Sequence, residues 1–375
     1  MWSDEGEALG MRRALGVVAA LALLGGVTYA LVPDDGPDPR KTVTVTGLIG
    51  SEKRAFFESP EVKAELAKQG LEVHSDSTGS WTMSEQAKSN SGLDFAFPAS
   101  TAPAREIQRN WGQQDSPLVP FYSPLVVVAH APVAQVLKDN KLAAQDADSG
   151  VWTFRMDEYV NVLRANRRWQ DLTNAEGHGD LAGPIYVTTT DPESSSSGAL
   201  YVALLSYVLN NHQVVSDDAG VEAARPVLHQ ATAMQGGQKS SSDEPFRDFQ
   251  AGVGNPLLFG YESQVASLTA QGQSAGDTVV MYPDTTVYSD HTIIARTENG
   301  RKLAALLQDD DALRTLEARF GFRPQARPGA FAELVKGSRQ PAFAQDLNAA
   351  RVKQSPVPSL DNLLKLTAAA KGSPK

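Results

Sequence analysis

Between Thr188 and Leu205 the chain reads TTTDPESSSSGALYVALL, and four consecutive serines there run through Gly198 into an apolar stretch at helical spacing. Hydroxyls placed just ahead of a helix suit the reception of an anion or dipole. The first-turn N–H groups have no partner within the helix, the helix dipole is positive at that end, and each serine adds a donor. The candidate ligand-binding residues of this run are Asp191, Ser195, Ser196, Ser197 and Gly198. A plainer reading has one serine as an ordinary N-cap and the others in a solvated loop. Hydrolysis is a third possibility, with Ser195–Ser197, His291 and Asp290 or Asp191 forming a Ser–His–Asp set. Against it, Ser197-Gly198 lacks the upstream glycine of a nucleophile elbow. The six histidines (His74, His130, His178, His212, His229 and His291) make no HExxH or i, i+4 pair, so no metal site is expected. There is no cysteine, P-loop or dinucleotide fingerprint, and no cofactor is expected.

The elements that must hold these serines alternate along the chain. Ile185–Thr189 reads as a buried strand closed by the Asp191-Pro192 turn, and Ala199–Leu209 as the helix that follows. Upstream, Thr42–Ile49, Leu71–Ser75, Leu93–Phe97 and Pro124–Ala131 read as strands. Ser59–Lys68, a segment starting near Ser80, and Pro103–Trp111 read as helices. Downstream, helices are expected at Met156–Arg167, Val221–Met234, Glu244–Gln250 and Arg301–Arg319, and strands at Thr278–Tyr282 and Val287–Ala295. Gly236–Asp243 reads as a loop. Such alternation predicts an α/β fold with a largely parallel sheet. Three more short hydroxyl-bearing loops precede predicted helix starts: Gly50-Ser51, Thr78-Gly79-Ser80 and Ala99-Ser100.

The N-terminal segment points to a chain outside the cytoplasm, and the net charge points away from nucleic acid. Ala14–Val32 is an uncharged 19-residue stretch, long enough to span a bilayer, with Arg12 and Arg13 before it and PDDGPDP after it. Residues 1–13 are therefore expected as a cytoplasmic stub, 14–32 as a transmembrane signal anchor, and 33–41 as a linker, with the bulk of the chain extracellular. A cleavable signal peptide ending near Thr28-Tyr29-Ala30 is the alternative. The lack of cysteine removes the acceptor for a lipid anchor. A net charge of −10 across 375 residues disfavours nucleic acid as a partner.

The order of these landmarks resembles the type II periplasmic solute-binding proteins of ABC importers over about residues 42–372. The likeness rests on VTVTGLIGS at Val43–Ser51, Thr78-Gly79-Ser80, LDFAF with Ala99-Ser100, and YSPLVVVAH at Tyr122–His130. It continues through Arg168–Leu172, the DPESSSSG run, Phe259-Gly260-Tyr261-Glu262-Ser263, Val279–Pro283 and Ser289–Ile294. The pairing of DPESSSSG, GYES and YPDTTVYSDH resembles a branch related to phosphate and molybdate receptors.

The resemblance implies two lobes, residues 42–124 with 289–375 and residues 125–288, joined by two crossover strands and closing on a small-molecule or anion ligand. It implies a membrane permease as partner and a monomeric binding domain. A C-terminal helix over Ser359–Ala370 would close the first lobe. Cleft residues would be Gly50, Ser51, Thr78, Gly79, Ser80, Ala99, Ser100, the 191–198 set, Tyr261 and Glu262. Several side chains have plainer readings. Lys53 and Arg54 read as a solvated helix start or as anion partners, and Glu262 as a first-turn acid or a cation receptor. Tyr261 and Trp81 read as ligand contacts or as core. The same fold could also serve a membrane-anchored sensor or assembly partner without transport.

Overall fold

The computed structural model describes residues 42–178 and 181–373. The expected stub, anchor and linker lie outside them, and among the described residues no helix is long and apolar enough to cross a membrane.

The chain begins with β1 (Val43–Ile49), α1 (Pro60–Lys68, capped by Ser59), β2 (Leu71–Ser77), α2 (Ser80–Ser89), β3 (Phe95–Phe97) and α3 (Thr101–Trp111). The long strand β4 (Leu118–His130) leads to α4 (Ala131–Asp139), β5 (Ala143–Gln145), β6 (Trp152–Phe154) and α5 (Met156–Arg164). Next come α6 (Ser196–Leu209), α7 (Asp218–Ala233), α8 (Asp243–Gln250), β7 (Leu257–Tyr261) and α9 (Glu262–Ala270). The rest comprises β8 (Thr278–Pro283), β9 (Thr285–Thr286), β10 (Tyr288–Ala295), α10 (Glu298–Asp309), α11 (Asp311–Arg319), β11 (Arg323–Pro324), α12 (Gly329–Leu334), β12 (Lys353–Gln354) and α13 (Leu360–Lys371).

β4 organises the sheet. Its first half pairs with β10 and β11, and its second half with β7 and β8, always antiparallel. Parallel pairs survive further out, β1 with β2 and β3, and β6 with β8. The sheet is therefore mixed rather than largely parallel, because one strand reverses the direction of all its neighbours. Two strand sets result, one of β1–β3, β10 and β11 and the other of β5–β8, each with its own core.

Phe56, Phe57, Phe95, Phe97, Phe121 and Phe322 fill the first core with Val45, Leu66 and Leu303. The second strand set is covered on both faces. Leu125, Val127 and Ala129 point into a core with α5, α6 and α7, while Val126 and Val128 meet Phe331, Phe343, Leu347 and Val352 on the other side. Burial on both faces explains why Leu125–Ala129 is an unbroken apolar run.

Three local expectations differ from what forms. Ile185–Thr189 is extended but is not a ladder strand. Only Thr188 bridges Leu258, while Val187 N donates to the Tyr159 hydroxyl and Thr189 N to Gln235 Oε1. Arg301–Arg319 is two helices, because the Asp310 carboxylate accepts from the N–H groups of Ala312 and Leu313 and starts a new one. The C-terminal helix α13, expected beside the first strand set, packs on α6 and α7 instead. Leu366, Ala369 and Ala370 share the core of Val208, Val221 and Leu228.

Near β11 the chain makes a close backbone approach. Gly321 has φ +82 and sits against the Ser263 backbone, where a Cβ would collide with its carbonyl. Gly321→Ala is expected to lower stability by about 2 kcal/mol or more, since both the φ and the contact resist a side chain. Urea denaturation of the variant measures this, and an unchanged midpoint would refute it.

Candidate functional site

The four loops singled out by their hydroxyls come together. The Ser100 hydroxyl is 2.7 Å from that of Ser196, Ala99 N donates to the Ser80 hydroxyl at 3.1 Å, and the Ser51 hydroxyl is 3.5 Å from Ser242. Gly79 packs on the carbonyls of Ser194 and Ser240 so closely that no side chain would fit there. Thr78 N donates to the Ile49 carbonyl and Gly50 N to that of Phe97, so strand ends bring these loops into line.

Local sequence explains why helices begin here: each of these loops puts Gly or Ser in extended backbone at the end of a strand or extended segment. None of the helix starts that meet at the cluster, after Gly50, Gly79, Ser100, Ser195 and Ser242, has a side-chain cap. Elsewhere Ser59, Asp217, Thr297, Asp310 and Ser359 cap their helices in the usual way. The plain N-cap reading of the serine run therefore does not describe Ser195. The first-turn donors of α2 find a partner across the cluster: Trp81 N and Thr82 N donate to the Ser194 carbonyl at 3.0 and 3.5 Å. A backbone carbonyl oxygen thus takes the place of a cap at this helix start.

In the serine run, Ser197 is 2.7 Å from the Thr190 hydroxyl and 3.3 Å from Ser195, while Thr190 also accepts from Gly198 N. Asp191 forms the turn and pairs with Lys371 of α13 at 2.7 Å. The buried Tyr261 hydroxyl interacts with Ser197 and Ser289. Burial, together with the charge of Glu52, raises its pKa well above the ordinary tyrosine value. Glu262 faces elsewhere: both carboxylate oxygens are taken by Arg323, at 2.7 and 2.8 Å, and the Tyr282 hydroxyl donates to one of them. Trp81 packs with Ala199, Ala203 and Leu363.

At the centre lies a charged group that sequence reasoning did not assemble. Lys53, read as a solvated helix start, is fully buried and bonds Glu52, with His291 Nδ1 3.0 Å away. His291 Nδ1 is also 3.3 Å from the Glu52 carboxylate. Burial alone would push the Glu52 pKa up, but Lys53 and His291 outweigh it and hold it down at about 2. Burial, then the charge of Lys53, pushes the His291 imidazole down to about 4. The only local hints were the SEK and SDH triplets, which are ordinary in isolation. His291 thus faces Glu52 and Lys53, and the hydroxyls of Ser195–Ser197 bond other hydroxyls. Among the described residues no cluster of acids and histidines is arranged to hold a metal.

Comparisons with known proteins complete the description. The family model described as bacterial extracellular solute-binding protein matches residues 59–323. No curated protein sequence matches the chain. Among solved structures, the sulfate-binding protein SubI from Mycobacterium tuberculosis H37Rv aligns with a TM-score of 0.52 at 16% identity, over 88% of this chain and 96% of that one. A periplasmic thiamin binding protein aligns with a TM-score of 0.57 at 10% identity, over 90% and 99%. The apo ferric ion-binding protein A from Pasteurella haemolytica gives 0.52 at 12% identity, over 88% and 96%. At these identities the likeness is one of fold.

The charged centre should make stability fall in acid. A neutral buried His291 stabilises fully above the unfolded value of about 6.5 and loses that contribution as pH drops towards its folded value of about 4. Glu52 acts in the same direction between about 4.5 and about 2. His291→Phe should therefore flatten the pH dependence of unfolding between pH 6.5 and 4 by about 1.4 kcal/mol per pH unit. Urea midpoints across that range test this, and an unaltered slope would refute the burial of a neutral imidazole.

Proposed function

This chain belongs to the bacterial extracellular solute-binding proteins, and from that premise we propose that it closes on a small anionic solute for uptake by an ABC-type importer. One observation carries the reading: buried, uncapped helix starts converge, and the N–H groups of Trp81 and Thr82 already hold an oxygen, that of Ser194. When the halves part, those donors and the hydroxyls of Ser51, Ser100 and Ser196, which bond across them, are freed together. A desolvated oxyanion brings enough acceptors to engage them and favours reclosure.

The halves are those served by β4. One carries β1–β3, β10 and β11, and the other β5–β8 with α5–α9 and α13. The hinge follows β4 and β10, and the Glu262–Arg323 pair next to it ties α9 to β11. The named ligands of the three similar structures are a dianion, an organic cation and a metal ion. The fold thus leaves ligand choice to the cleft, and here hydroxyls and amides support an anion. Residues 14–32 would tether the receptor at the outer face of the membrane.

Replacing Ser196 and Ser197 together with Ala should weaken oxyanion binding by about 1–3 kcal/mol for each lost donor. Calorimetric titration with phosphate, sulfate and molybdate provides the measurement, and unaltered affinity would remove the cleft assignment. Fractionation of cells should place the full chain with membranes and accessible from outside, whereas recovery from cytosol would refute the tether.

A further inference from the structure

Tyr122 of β4 and Tyr288 of β10 stack on each other, with ring centroids 5.4 Å apart and planes 18° from parallel. Their strand neighbours Ser123 and Ser289 turn the other way. The Ser123 hydroxyl accepts from Ser263 N, and the Ser289 hydroxyl donates to the carbonyl of Ala99 in the serine cluster. Successive side chains of a strand point to opposite faces, so the two tyrosines stand on the far face of β4 and β10, away from that cluster. There they line a cavity of about 1070 Å³. That is the size of a large ligand site, since such sites run to about 1,000 Å³.

The segment after α12 forms the opposite wall. Leu347 and Val352 anchor it in the core that holds Val126 and Val128 of β4, and β12 pairs with β9. Arg323 also lines the cavity, but its guanidinium is occupied by Glu262 and by the carbonyls of Ala344 and Gln345. Arg351 and Lys353 differ. Both line the cavity, both are exposed, and neither side chain has a hydrogen bond or ion pair among the described residues. Arg351 holds φ +57, a conformation that favours Gly, Asn and Asp over arginine. Asp346 is the acid that lines the cavity, and its Oδ1 accepts from the N–H groups of Asn348 and Ala349. Asp146 lies within the field of Arg351, but its carboxylate is bonded by Ser149. With the Arg323–Glu262 pair set aside, the lining carries two cations against one acid.

The two walls suit different parts of one ligand. Tyrosine rings flanked by Leu347 and Val352 suit a flat ring, and an unpaired guanidinium and ammonium suit an anion with several oxygens. An inorganic anion would leave the rings unused, and a neutral ring or sugar would leave both cations unpaired. We propose that this cavity is a second ligand site, for an aromatic phosphate such as a nucleoside monophosphate. Its ring lies against Tyr122 and Tyr288, and its phosphate is held by Arg351 and Lys353. The site is separate from the serine cluster and does not depend on which solute that cluster takes.

Calorimetric titration of the full-length protein with adenosine monophosphate, adenosine and ribose phosphate tests the inference. The nucleotide should bind saturably at one site, about ten-fold or more tighter than either fragment. Arg351→Asn together with Lys353→Gln should weaken nucleotide binding by about ten-fold and leave adenosine unchanged. Both side chains are exposed and asparagine accepts the Arg351 backbone conformation, so this variant keeps its fold. Ser196→Ala with Ser197→Ala should leave nucleotide binding intact. Absence of nucleotide binding, binding no tighter than that of the fragments, or binding that survives the Arg351 and Lys353 changes would overturn the inference. So would loss of nucleotide binding in the serine variant alone, which would place the nucleotide in the cleft.

Discussion

A buried N–H group at the start of a helix must have an acceptor, and here several such groups are buried in one place without caps. Leaving one unpaired away from water costs on the order of 1–3 kcal/mol, so the cluster cannot simply be left open and dry. The chain resolves this partly across the cluster and partly within the serine run, where the Thr190 hydroxyl accepts from Gly198 N. The Ser194 carbonyl serves α2, and the serine and threonine hydroxyls serve one another. Gly79 permits the approach, since any larger residue would hold the Ser194 and Ser240 carbonyls away. The N–H groups of Trp81 and Thr82 thus take their acceptor from a distant segment of the backbone rather than from a cap.

Much of this was legible in local sequence. Short loops with Gly and Ser between apolar runs and helices announce themselves, and all four that were singled out meet. The unbroken run Leu125–Ala129 was equally plain, because burial on both faces leaves no polar position. Other features were invisible for a shared reason: they depend on neighbours far away in the chain. Lys53 looks solvated, as most lysines are, until His291, 238 residues later, is placed against it. Ile185–Thr189 has strand chemistry, but side chains of Tyr159 and Gln235 occupy much of its backbone. The sheet's direction could not be read either, because β4 sets it by where the chain returns rather than by composition.

Glu262 and Arg323 illustrate how a conspicuous charge can belong to architecture. Standing next to Tyr261 at the end of β7, Glu262 has the position of a ligand contact and the partners of a fastener. Arg323 bonds both its oxygens and also donates to the carbonyls of Ala344 and Gln345, which draws the segment after α12 onto the second strand set. Such a pair repays its desolvation only with good geometry and further hydrogen bonds, and both are present here. It lies beside β4, which pairs with both β7 and β11.

The position of α13 has a consequence for how the molecule comes into being. Its apolar face completes a core whose other members come from segments roughly 125–234, and Lys371 reaches back to the turn before the serine run. During synthesis that core lacks one wall until α13 has emerged. The core around the serine run therefore cannot be completed before α13 is in place.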